Sequence, residues 1–76
     1  MSTLEKLIKF YENEIKIMRQ SLENPQVRVH WDKKQLTHNA IQRGLGVAFF
    51  AQEFDDITYQ EIEKEYNWYK DELERL

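Results

Sequence analysis

His30 and His38 are the only histidines in the chain, and Glu53, Asp55 and Asp56 form its tightest group of acids. These are the side chain types that a metal site or a general acid–base pair would use. Their spacing serves neither. The two histidines match no helix-face pair, and no glycine-containing loop surrounds the acids in the manner of a calcium site. Asp56 sits just before a helix start, where negative charge is favoured for structural reasons alone. No Ser/His/Asp arrangement is apparent. The chain has no cysteine, which removes thiolate zinc ligands, cysteine nucleophiles and disulfides together, and fits a reducing compartment. The sequence therefore points to a protein that is not an enzyme and that holds no metal and no cofactor.

A second set of residues suggests a different chemistry. Arg28, Lys33, Lys34 and Arg43 stand against the single acid Asp32 in residues 24–46, whereas residues 47–76 are strongly acidic. A basic segment next to a short helical turn is the makings of a nucleic-acid-binding regulator, and these four bases are its candidate contacts. The helix that would enter the groove, however, carries Glu61, Glu63, Glu65, Asp71, Glu72 and Glu74, which phosphates would repel. With a net charge of −3, nucleic acid is the alternative and not the expected partner. The same acidic helix would instead suit a basic groove on another protein, although an acidic face is usually a solvated one.

The glycines of "QRGLGVAFFAQEF", residues 42–54, raise the question of a phosphate loop. No strand precedes them and no Gly-Lys-Ser/Thr follows, so that reading fails. A strand is disfavoured by two glycines and two alanines. The longest charge-free run, "GLGVAFFAQ", is too short to span a bilayer, and the charged start "MSTLEKLIKF" has no apolar core of a signal peptide. The expectation is a cytoplasmic protein with no membrane segment.

Three helices follow from periodicity and start signals. Apolar residues at 4, 8, 11, 15, 18 and 22 form the seam of a first helix over about 3–23, opened by the capping box Ser2-x-x-Glu5 and ended by Asn24-Pro25. Asp32 caps a second helix over about 33–54, with Trp31 and Leu36 spaced as a hydrophobic staple. Thr58 and Glu61 box a third over about 58–75, with Ile57 and Ile62 as its staple and a seam at 59, 62, 66, 69, 73 and 76. In "QVRVHW" the alternation of Val27, Val29 and Trp31 suits an extended linker docked on the bundle, or a short strand. The prediction is a single all-α domain over 1–76 with the second helix central and buried.

On that second helix Ala40, Gly44, Ala48 and Ala51 make a smooth stripe where another helix backbone can approach closely. Leu36, Val47, Phe50 and Phe54 lie beside the stripe, and Ile41, Leu45 and Phe49 form a second apolar row on another side. Phe10 and Ile17 stand off the first helix's seam, and Trp68 off the third's. A domain of 76 residues buries only about 60% of the surface its unfolded chain exposes, too little to hide three spare rows. Phe10, Ile17, Ile41, Leu45, Phe49 and Trp68 are therefore the candidate interface of a homodimer.

"LIKFYENEIKIMRQSLENP" followed by "NAIQRGLGVAFFAQEFDD" resembles small helical proteins encoded in phages and prophages of Gram-positive bacteria. The resemblance covers most of the chain. It implies a bacterial or phage-infected cytoplasm and a role through protein contacts, and it brings no activity, cofactor or site residue with it. Together with the spare apolar rows it makes a protein–protein interaction module the expected function.

Overall fold

The computed structural model describes residues 1–30 and 32–76, the side chains of 28–30 excepted. It is all helical among those residues: α1 (Thr3–Glu23), α2 (Pro25–His30), α3 (Lys33–Ala51) and α4 (Tyr59–Arg75). The long helices α1, α3 and α4 each pack against the other two, and α2 rests on α1. The bundle measures 43 × 19 × 18 Å, so thin that every long helix keeps one side in solvent.

The helix starts obey local chemistry. Ser2 Oγ accepts from the Glu5 N–H at 3.1 Å and Thr58 Oγ1 from the Glu61 N–H at 3.2 Å, each reciprocated by the glutamate. Asp32 accepts from the Gln35 N–H at 3.1 Å. The Thr58 box is closed from behind by Ile57, which is buried in the same cluster as Ile62. The staple expected of Trp31 lies outside the described residues.

Among the described residues four helices replace the expected three. Residues 25–30 are helical, neither an extended linker nor a strand. Asn24 both ends α1, in extended conformation (φ −85°, ψ 117°), and accepts from the Gln26 N–H at 3.0 Å. It thereby caps α2, whose first residue is proline, the one helical position where the missing N–H costs nothing. α3 also stops three residues early: Gln52, Glu53 and Phe54 donate to the carbonyls three residues back, tightening the last turn into 3₁₀ form.

The expectation of a central, buried second helix is corrected. α3 buries only its small stripe, Ala40, Gly44, Ala48 and Ala51. The rest of the core comes from Leu7, Tyr11, Ile15 and Met18 of α1, Ile62, Tyr69 and Leu73 of α4, and Ile57. No helix backbone fills the groove over the stripe. Two tyrosine rings do. Tyr11 and Tyr69 stack at 4.4 Å between centroids with 20° between planes, and both are fully buried. A Cβ at Gly44 would lie 2.3 Å from Tyr69 Cε2, while one at Gly46 would meet nothing within 4 Å. Each glycine costs the helix about 1 kcal/mol relative to alanine. Gly44 returns that cost in core packing; Gly46, two residues on and about 160° round the helix, returns nothing within the chain.

The start of α1 is held by a residue far along the chain. Asp56 Oδ2 accepts from the Thr3 N–H at 3.0 Å and Oδ1 from the Thr3 hydroxyl at 2.5 Å. These bonds hold the Asp56 carboxyl below its ordinary 3.8. A carboxyl lowered by folding stabilises above its unfolded pKa and loses that contribution as pH falls through the folded one. Asp56→Ala is expected to lower the melting temperature at neutral pH and to flatten the acid limb of stability. Thermal denaturation at neutral pH and below pH 3.8 checks it: a variant whose deficit is the same at both would refute the cap's role.

Candidate functional site

The titratable groups of the core are structural. Tyr11 donates its hydroxyl proton to the Gly44 carbonyl at 2.9 Å, and Tyr69 donates to the Ala40 carbonyl at 2.7 Å. Burial pushes the Tyr69 hydroxyl up to about 12, with Glu14 raising it further and Arg43 opposing. Tyr11 is shifted still further upward, first by burial and then by Tyr69, Tyr66 and Glu65. A tyrosine raised by folding contributes stability that is whole below its unfolded pKa of 10.0 and is lost as pH rises through the folded value. Each such tyrosine steepens the fall by about 1.4 kcal/mol per pH unit. Urea midpoints are therefore expected to drop sharply above pH 10 and less sharply in Tyr69→Phe; equal slopes in both proteins would contradict the burial of that hydroxyl.

Of the candidate basic contacts, Lys33 and Lys34 border one pocket and Arg43 stands apart from them. Lys33 donates to the carbonyl oxygen of Leu76 at the end of α4. Lys33 and Lys34 line a shallow pocket with Thr37, His38, Ile41 and Glu74. Arg43 binds Glu14 of α1 at 3.0 Å. Nine residues place Lys34 and Arg43 on opposite sides of α3, about 180° and 13 Å apart. The Arg28 side chain lies outside the described residues, as does that of His30. Glu53, Asp55 and Asp56 are exposed, and Asp56 serves α1. Among the described residues no group of three histidine, aspartate or glutamate side chains is placed to hold a metal ion, and no helix is long and apolar enough to cross a membrane.

The six candidate interface residues fall on three seams. Phe10 sits edge-on to Tyr11 (5.9 Å, 64°) and is half-buried against the core. Ile17, seven residues on, shares its side of α1 and is 46% exposed. Ile41 and Leu45 are half-buried on the α4 side of α3. There Leu45 and Phe49 border a groove of about 360 Å³ with Tyr59, Ile62 and Tyr66 of α4. Trp68 lies on the third seam, beside Ile8 and Glu12 of α1. The six therefore do not make one surface.

Large apolar side chains stand exposed around the C-terminal half of α3, Phe49 and Tyr59 at the groove with α4 and Phe50 and Phe54 at the cleft with α1. Phe49, Phe50, Phe54 and Tyr59 are 59%, 64%, 45% and 63% exposed. Phe50 and Phe54 meet edge to face at 5.3 Å and border an apolar cleft of about 220 Å³ with Leu7, Val47 and Ala51. Sequence reasoning placed both beside the core stripe. The signal against that was present for Phe50, which stands about 120° from Gly44 on a helical wheel. Comparison with protein-family models, with curated proteins and with solved structures finds no match.

Proposed function

We propose that the protein is a small interaction module that self-associates and acts through protein contacts made by the C-terminal half of α3. The observation that carries this reading is the exposed Phe50–Phe54 pair, flanked across α3 by the exposed Phe49 and Tyr59, on a chain with a small core. Exposed apolar groups of this size mark contact surfaces more often than accident. The phage-like resemblance supplies a setting, the bacterial cytoplasm, in which a module without catalytic groups works by binding. Separation of Lys34 and Arg43 on α3 removes support from the nucleic-acid alternative. Sedimentation equilibrium tests the proposal. A dimer is expected at micromolar concentration, converted to monomer by Phe50→Ser; a folded wild-type monomer at every concentration would overturn it.

A further inference from the structure

We infer that α3 pairs antiparallel with α3 of a second copy, across a two-fold axis that passes between Gly46 and Phe50. The inference rests on the self-association proposed above and specifies its geometry. The outer face of α3 runs through Asn39, Gly46 and Phe50, all exposed, on the side away from the Ala40–Gly44–Ala48 stripe. Gly46 is a bare notch in that face, since nothing lies within 4 Å of the place its Cβ would take. Phe50 stands one turn further on, about 6 Å along the axis, as an unfilled knob that is 64% exposed.

A surface that carries both a notch and its knob is complementary to itself, which is the condition for an isologous two-fold contact. Rotating one helix antiparallel to the other sets Phe50 of each chain over Gly46 of its partner. The pairing also explains why a glycine is kept at a mid-helix position that no residue of its own chain crowds.

Charge selects the same direction. The bases of α3, Lys33, Lys34 and Arg43, precede its midpoint or lie near it, and the acids Glu53 and Asp55 follow its end. A parallel pair stacks like charges side by side. The antiparallel pair brings Arg43 of one chain toward Glu53 of the other, while Arg43 holds Glu14 with a single nitrogen and keeps donors to spare. Added salt should accordingly weaken the dimer.

Two variants and one cross-linking pair test this. Gly46→Leu fills the notch without touching the fold, so the diluted protein should keep its helical circular dichroism while dimer affinity falls roughly tenfold or more. Gly46→Ala should weaken the dimer less. Because the chain has no cysteine, single cysteines report orientation cleanly. Gln42→Cys and Glu53→Cys proteins, mixed and oxidised, are expected to form the mixed disulfide and few like-to-like ones. A dimer that cross-links only like to like, or one that Gly46→Leu leaves intact, overturns the antiparallel pairing and leaves self-association standing. A monomer at all concentrations removes both.

Discussion

Leucine at Gly44 is expected to destabilise the protein by about 1–3 kcal/mol or more through overpacking, enough to lower the melting temperature by several degrees in a chain of this size. The cause is specific. A Cβ at this position falls 2.3 Å from Tyr69 Cε2 and 2.8 Å from Cδ2, well inside contact distance. The ring cannot swing away, because its hydroxyl is tied to Ala40 and its face lies on Tyr11. Helix propensity alone argues the other way, favouring alanine over glycine by about 1 kcal/mol. The two effects separate in a double-mutant cycle. Gly44→Ala should destabilise the wild type but stabilise a Tyr69→Ala background, where the ring is gone. Chemical denaturation of the four proteins measures this, and a sign that does not change between backgrounds would refute the close approach.

Tyr69→Ala is expected to cost about 3–5 kcal/mol, the range for deleting a buried aromatic side chain. A domain of 76 residues has a total stability of about 4–11 kcal/mol, so the variant should lose roughly half of it and unfold at much lower denaturant than the wild type. Tyr69 is the largest contribution of α4 to the core, with no exposed surface, and it is the side chain through which α4 grips both α1 and α3. Tyr69→Phe isolates the hydroxyl and should cost only about 1 kcal/mol. The Ala40 carbonyl is not orphaned by that change, since its helical partner is the N–H four residues on. Guanidinium titrations of both variants decide the matter. A Tyr69→Phe loss as large as that of Tyr69→Ala would show that the hydrogen bond, and not the ring, holds the bundle.

The sequence by itself determined the helices that rest on chemistry within a turn. Ser2-x-x-Glu5, Asp32 and Thr58-x-x-Glu61 specify their own starts because donor and acceptor are three residues apart, and no tertiary contact is needed to bring them together. The small stripe from Ala40 to Ala51 was legible for the same reason, since helical phase puts those residues on one side. The second role of Asn24 escaped because the alternation in "QVRVHW" imitates an extended segment, while Asn-Pro ends one helix and begins another with the same two residues.

What only the tertiary structure decided were contacts between residues far apart in the chain. Asp56 looked like the start of the nearest helix but caps α1, 53 positions away. Gly44 looked like a seat for a helix backbone but receives the Tyr69 ring, because α4 arrives with an aromatic side chain aimed at that gap. Phe50 reads as a neighbour of the core stripe although its phase points outward, and Phe10, Ile41 and Trp68 read as spare rows on three helices, which the fold sets at different seams. Periodicity reports the direction of a side chain around its own helix axis. It carries no information on how the three axes are arranged, and that arrangement sets which outward directions are covered by a neighbour and which are left to water or to a second chain.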